Sequence, residues 1–490
     1  MTSLSINMEE RMVRFDKYLE RTNMDKKPYQ REGVEWCLKN ELRPDPPCGV
    51  RGGFIADEMG LGKTILMIGT FVTNFVARTL VVLPPVLIDQ WYAQILKTTG
   101  HKALIYHGEN KKTTSLADIE KAHIVLTTYG AISLTKKQLK ESDITVLHQV
   151  NWTRIVFDEA HHMRNPKTTC FASVSLLKAK IRWLVSGTPI QNKKQDFYSL
   201  CSILKLPTTF YTDSSNLKFL AQSFILKRTK KQVGIQMPDI VCEKEIVGWT
   251  NRKEMELSEE LHAVLGFSNV SGEKANKPMS NHVNTKGILA IMLRARQTCI
   301  YPKLMTGGLD KMVKLGLLSD YSSYKEAFDH SSKLDSVVAS ILEKKGNGCG
   351  KLIFCHFREE IDEISKRLKE GGMTSVATFD GRTTNNRRYD ILNDKNEALI
   401  LQIQTGCEGL NLQENYSEIY FISPHWNPAI EDQAVARCHR IGQTKPVYVQ
   451  RFEMCSFMKD EGQEVDTLTI DKYVHSVQDG KRFVAKEYLK

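Results

Sequence analysis

The stretch ADEMGLGKT at residues 56–64 decides the reading of this chain. It follows RGGFI (51–55), which reads as a short strand. It precedes ILMIGTFVTNF (65–75), where Ile65, Ile68, Val72 and Phe75 recur at helical spacing. A glycine-rich turn between a strand and a helix gathers backbone N–H groups and the positive end of the helix dipole at one point. Gly60 and Gly62 carry no side chain to block a phosphate. Lys63 can reach terminal phosphates, and Thr64 can offer its hydroxyl to Mg²⁺. The usual loop opens with glycine, and here that position is Asp57.

A phosphate loop of this kind needs carboxylates at a second strand end. RIVFDEAHH (154–162) supplies them. Ile155, Val156 and Phe157 make an apolar run, and Asp158 and Glu159 follow where ligands gather in open α/β sheets. Asp158 is expected in the Mg²⁺ shell, and Glu159 is expected to polarise an attacking water. The two adjacent histidines lack the spacing of a zinc pair.

Together DEMGLGKT, DEAHH, SGTPIQN (186–192) and QAVARCHRIGQ (433–443) resemble motifs I, II, III and VI of superfamily-two helicases and, more narrowly, of the Swi/Snf-like branch of DNA translocases. DEMGLGKT is that branch's own form of the loop, Asp57 included. KPYQREGVEWCL (27–38) is similar to its adenine-reading Q motif, with Gln30 placed to pair with the base. The resemblance runs from about residue 25 to the C-terminus. Through LRARQTCIYP (293–302) and QTGCEGLNLQ (404–413) the subgroup resemblance is to the repair translocases and to compact viral and bacterial members.

The resemblance implies ATP and Mg²⁺ as cofactors and double-stranded DNA as partner. It implies that Arg437 and Arg440, on one face if that stretch is helical, act as arginine fingers beside Gln433. A finger of this kind is worth roughly 10³–10⁵ in rate, about 4–7 kcal/mol. LPPVLIDQW (83–91), TTYG (127–130), FDGRT (379–383) and QTGCEGLNL (404–412) resemble loops that grip a phosphate backbone. Pro84, Thr127, Thr128, Gly381, Thr405 and Asn411 are the expected DNA-contacting residues, as small groups suited to contacts without sequence reading. Cys407 stands where the family usually has glycine. Trp426, in SPHWNP (423–428), lies where the branch carries a tryptophan thought to engage the duplex, although its flanking prolines equally suit a packed core residue. The basic run LKRTKKQ (226–232) fits a nucleic-acid face or a solvated lobe edge.

Composition agrees. The chain has 490 residues, enough for two or three domains, with 41% hydrophobic content. A net charge of +11 suits a polyanionic partner. The eleven cysteines include no CxxC pair, and residues such as Cys201 and Cys355 read as reduced core thiols. With no long apolar run, the expectation is an intracellular soluble protein without membrane partners: nuclear if eukaryotic, in the virion or viral factory if viral.

Strand-like runs alternate with helical patterns in two blocks, which predicts an α/β fold of two RecA-like lobes with parallel sheets. The expected division is an N-terminal extension (1–25), lobe 1 (26–245), a helical insertion and linker (246–335), lobe 2 (336–455) and a C-terminal bracing helix (456–490). The polar stretch SNVSGEKANKPMSNH (268–282) reads as a flexible loop within the insertion. The chain is expected to lack a RING zinc module in its insertion and a chromatin-reading appendage. The expectation is a nearly bare monomeric motor that displaces or repositions DNA-bound proteins, nucleosomes or a polymerase among them. The alternatives are a strand-separating DNA or RNA helicase and a non-hydrolysing scaffold. The scaffold would lack Lys63, Glu159 or a finger arginine, and all are present.

Overall fold

The computed structural model describes residues 2–187, 194–267, 285–314, 316, 318, 321–406, 410–457 and 467–488. SNVSGEKANKPMSNH, Cys407 and most of SGTPIQN fall outside these residues. The chain forms two units, one of Met1–Gln236 with Val484–Lys490 and one of Met237–Phe483. Among the described residues no helix is long and apolar enough to cross a membrane.

The first unit holds strands β1 (Arg51–Ile55), β2 (Thr79–Leu83), β3 (Leu104–Tyr106), β4 (Ile124–Thr128), β5 (Asn151–Asp158), β6 (Lys178–Val185) and β7 (Ile225–Leu226). They form one parallel sheet in the order β3-β4-β2-β5-β6-β1-β7. Strands buried on both faces read as continuous apolar runs, and β2 and β4 are buried at every position. Register places Ile55 beside Val185 and Leu226, and Asp158 beside Val185. The ends of β1, β5, β6 and β7 therefore converge. Gly52 is required where β1 meets β6, because its φ is +102° and a Cβ there would lie 1.9 Å from the Arg182 carbonyl oxygen.

The N-terminal residues are not an appendage to this unit. The helix Thr2–Arg21 lays Met12, Phe15, Tyr18 and Leu19 into the same core as Ile55, Leu66 and Trp183. Arg11 donates to the Thr73 carbonyl (3.0 Å) and to Asn74 Oδ1 (2.9 Å). Beneath it lies a buried ion pair: Arg154 donates to both carboxylate oxygens of Glu41, and Trp183 Nε1 and Asn74 satisfy the same carboxylate. Such a pair stands in a core only when its remaining hydrogen-bonding capacity is met.

The second unit holds β8 (Ile240–Val247), β9 (Gly350–Cys355), β10 (Val376–Phe379), β11 (Ala398–Gln402), β12 (Tyr416–Phe421) and β13 (Val447–Met454). These form a second parallel sheet, ordered β10-β11-β9-β12-β13-β8. After β9 comes the helix Arg358–Glu370, with Ile361, Ile364 and Leu368 buried and Gly371 as its C-cap, as the spacing predicts.

The expected boundary at 245/246 falls inside β8, which pairs with β13 along its whole length. Its sequence IVCEKEIV carries three consecutive charged residues and is mostly exposed, as suits an edge strand. The stretch expected as a separate insertion also joins the second core. The helices Arg252–Leu265 and Thr285–Ile300 contribute Leu265, Ile291, Ala295 and Cys299 to the cluster containing Ile353 and Ile400. The helix Ile470–Tyr488 is anchored at its start by Asp471, which pairs with buried Lys333 and accepts from the Met454 N–H (3.1 Å).

Candidate functional site

After β1 the chain turns through Gly60 (φ +90°) and Gly62 (φ +79°) into the helix Lys63–Thr73. Both glycines adopt the left-handed region that side chains resist. A Cβ on Gly62 would lie 2.7 Å from Gln30 Nε2. That amide donates to the Leu61 carbonyl at 3.4 Å, so the expected adenine reader touches the phosphate loop itself. Lys63 Nζ donates to the Asp57 carbonyl (3.0 Å). Gly187, the last described residue of SGTPIQN, approaches the same ammonium, and a Cβ there would be 3.3 Å from Nζ. Thr64 lies in the first turn of the helix, half-buried.

Asp158 ends β5 and is buried. Trp91 Nε1 donates to its Oδ2 (2.8 Å), and the Glu159 N–H donates to its Oδ1 (3.0 Å). Burial, then the neighbouring Glu159 charge, push the Asp158 carboxyl up to about 7, while the Trp91 bond and Lys63 draw it back. A buried carboxylate under this strain favours a cation beside it. Thr64 and Asp158 offer the hard oxygen donors that Mg²⁺ takes alongside nucleotide phosphates, so these residues fit that ion. Glu159 has φ +50°, an uncommon conformation for a non-glycine residue, and its carboxylate lies 3.3 Å from His161 Nδ1. Strained residues of this kind cluster at functional sites.

Trp91 was not among the expected site residues. A buried tryptophan needs an acceptor for its N–H, and LPPVLIDQW shows the residue but not that its acceptor is Asp158.

In the second unit the helix Pro428–Val435 ends before the two arginines, so Arg437 and Arg440 sit in turns and not on one helical face. Gln433 is buried on that helix. Arg437 Nε is buried with no hydrogen-bond partner among the described residues. Burial, and then the Arg437 charge, push the Arg440 guanidinium down. Two neighbouring cations with an unmet donor have the chemistry to accept an anion. Gln443 holds the turn by donating to the carbonyls of Gln413 and Tyr416 (3.0 Å each). Asn411, expected on the DNA backbone, accepts a hydrogen bond from Arg440 Nη1.

The other expected DNA contacts differ in exposure and in what they already bind. Gly381 is exposed after β10, near Arg358. Thr127 is fully buried, and its hydroxyl donates to the Tyr106 carbonyl (2.9 Å), which removes it from any phosphate. Thr128 is also buried, and its hydroxyl caps a short helix by accepting from the Ala131 N–H (3.2 Å). Pro84 is buried at the end of β2. The Thr405 side chain lies outside the described residues. Trp426 is half-buried against the second core, edge-on to Tyr473 (6.2 Å) with Arg296 over its ring (5.4 Å). It lines an open cleft of about 410 Å³ together with Leu289, Leu293, His356 and Phe357.

The chain is similar in sequence to known proteins. Residues 29–304, more than half of the chain, match the SNF2-related domain, and residues 332–442 match the helicase conserved C-terminal domain. The chain is 26% identical to "Probable global transactivator" of Orgyia pseudotsugata multicapsid polyhedrosis virus, covering 94% of this chain and 91% of that protein. It is 27% identical to an "Uncharacterized ATP-dependent helicase" of Mycoplasma genitalium, covering 94% of this chain but 42% of that one. It is 25% identical to "DNA excision repair protein ERCC-6-like" of Danio rerio, covering 88% of this chain and 34% of that one. A solved structure described as "Sulfolobus solfataricus SWI2/SNF2 ATPase core in complex with dsDNA" matches with TM-score 0.38 and 24% identity, over 95% of this chain and 96% of that one. The chain belongs to the SNF2-related family: it is a helicase-like, DNA-dependent ATP hydrolase.

Proposed function

We propose that this chain is an ATP-driven translocase on double-stranded DNA, which displaces or repositions bound proteins without separating the strands. The observation that carries the reading is the hydrogen bond from Arg440 to Asn411. It joins a residue of the expected DNA-gripping loop directly to an expected phosphoryl-stabilising arginine, so nucleotide state and DNA grip share one contact. Membership of the SNF2-related family supports it.

In this reading Lys63 and the backbone N–H groups of the loop hold the phosphates, and Gln30 recognises the adenine. Thr64 and Asp158 would hold Mg²⁺, which would supply positive charge against the phosphates. Glu159 orients the attacking water. Gln433, Arg437 and Arg440 meet the charge that develops on the transferring phosphoryl group. Gly381, Thr405 and Asn411 contact the DNA backbone. The protein acts as a monomer.

The test compares ATPase rates with duplex DNA, single-stranded DNA and RNA, alongside triplex displacement and forked-duplex unwinding. Strong stimulation by duplex with triplex displacement is expected, and affinity should fall steeply with salt. Robust unwinding with no preference for duplex as activator would establish a strand-separating helicase instead.

A further inference from the structure

The departure at Asp57 has a partner 171 residues downstream. Arg228 Nη2 lies 2.5 Å from Asp57 Oδ2, and Arg228 Nε lies 3.1 Å from Oδ1, a two-point pair. Asp57 is buried and the Arg228 side chain is nearly so. The third arm of the guanidinium, Nη1, donates to the carbonyl of Tyr29, and its carbon stands 5.5 Å from the centre of the Tyr29 ring. Tyr29 immediately precedes Gln30.

The surroundings are shaped to this contact. A Cβ on Gly33 would lie 2.8 Å from Arg228 Nη2, so glycine on the Q-motif helix leaves room for the guanidinium. The backbone continues the join. The Ala56 N–H donates to the Leu226 carbonyl (2.8 Å), and the Glu58 N–H to the Arg228 carbonyl (2.9 Å). Lys230 Nζ lies 3.3 Å from Glu58 Oε1, and the Lys230 N–H donates to Glu58 Oε2 (2.8 Å). The basic run LKRTKKQ therefore spends Arg228 and Lys230 on the opening of the phosphate loop. That assignment replaces the nucleic-acid face or solvated edge expected for these two residues.

We propose that Arg228 is a positioning residue for nucleotide selection. It ties the start of the adenine-reading helix, at Tyr29 and Gln30, to Asp57 at the mouth of the phosphate loop. Asp57 in turn presents its carbonyl to Lys63. A base seated against Gln30 thereby sets the loop that receives its phosphates, and a base that Gln30 does not accept leaves the loop out of register. Two parallel N–H···O bonds fix the orientation of both groups, which a lysine, as a single point charge, does not do. The inference rests on the assignment of Gln30 and Lys63 to the ATP site.

The test is steady-state hydrolysis of ATP and GTP by the full chain at saturating duplex DNA. Arg228→Lys keeps the charge but loses the fork and its approach to Tyr29. Its KM for ATP should rise about tenfold, the scale of one charge-assisted hydrogen bond, while kcat changes far less. The preference for ATP over GTP should shrink. Asp57→Asn should give the same pattern. Combining Arg228→Lys with Gln30→Ala should cost less selectivity than the two single losses multiplied, because both act on one linkage. Thermal unfolding of each variant separates misfolding from this effect. Should Arg228→Lys melt early, Asp57→Asn decides alone. Unchanged KM and selectivity in a folded variant, or strictly multiplicative losses with Gln30→Ala, would overturn the proposal. Lys63→Ala is the control for the underlying site. Normal turnover in that variant removes the ATP-site assignment itself, whereas its failure beside a normal Arg228→Lys removes only the link.

Discussion

The helix that begins at Lys63 is held from behind by the N-terminal helix, through one glycine. Gly69 faces Phe15, and a Cβ there would lie 2.5 and 2.8 Å from two Phe15 ring carbons and 2.9 Å from Val34 Cγ2. Phe15 is fully buried. Two opposite perturbations follow. Phe15→Ala opens a cavity behind the phosphate-binding helix and should cost about 3–5 kcal/mol. Gly69→Ala forces a methyl into the ring and should cost about 1–3 kcal/mol, less whatever the helix gains when it loses a glycine, about 1 kcal/mol. The double variant is the decisive one. With the ring gone, the methyl introduced by Gly69→Ala has space, so the combined loss should fall short of the sum by roughly 1 kcal/mol or more. A chain of two units need not unfold in one step. Hydrogen exchange is therefore the suitable assay, read on peptides spanning 12–22 and 63–73. Both should lose protection in Phe15→Ala while peptides of the second unit do not, and ATP affinity should weaken with them. Additive losses, or exchange confined to the first peptide, would show that the N-terminal helix does not support the nucleotide site.

Glu159→Gln preserves shape and should leave ATP binding intact, since Lys63 and Asp158 remain, while turnover nearly vanishes; near-normal ATPase sinks that residue as the water-orienting group. In the second unit, buried Glu360 accepts the N–H groups of His356 (2.8 Å) and Phe357 (2.9 Å), and burial pushes its carboxyl up to about 7. A folded value above the unfolded one means the stabilisation is complete below the ordinary carboxyl range near pH 4 and is lost as pH rises through about 7, an effect of about 3 kcal/mol. Glu360→Gln should flatten that slope, and superimposable pH–stability curves for the two proteins would refute it. Trp426→Ala should lower the melting temperature, because the indole packs against Tyr473 and Arg296, yet leave DNA-stimulated ATPase with poor triplex displacement per ATP. Displacement per ATP equal to wild type would remove the coupling role.

The parts of this molecule legible in its sequence are those that repeat a local pattern. Runs such as TLVVL and KLIFC are buried on both faces, so composition alone marks them as strands of a parallel sheet. The glycine turn after RGGFI announces itself because backbone with positive φ demands glycine. β8 was hidden for the opposite reason. As an edge strand it carries a central charged run, Glu243–Glu245, is mostly exposed, and looks like a polar linker. The threonines show a different limit. A hydroxyl in a strand-end loop is visible as a donor, but whether it is already used is a matter of geometry. Thr127 serves the Tyr106 carbonyl and Thr128 serves a helix cap.

Charges pose the hardest case. LKRTKKQ contains four basic residues in seven, and nothing within it distinguishes a face for phosphates from a brace for carboxylates. The distinction comes from Asp57 and Glu58, brought alongside because β7 adds to β1 in parallel. The carboxylate that makes this phosphate loop unusual and the arginine that answers it are thus joined by topology and not by any local motif. A resemblance at the loop marks Asp57 as expected. The fold supplies the physical reason: a carboxylate buried in this loop must have its charge met by a neighbouring group. Arg228 meets that charge, and in doing so joins the loop to the helix that carries Tyr29 and Gln30.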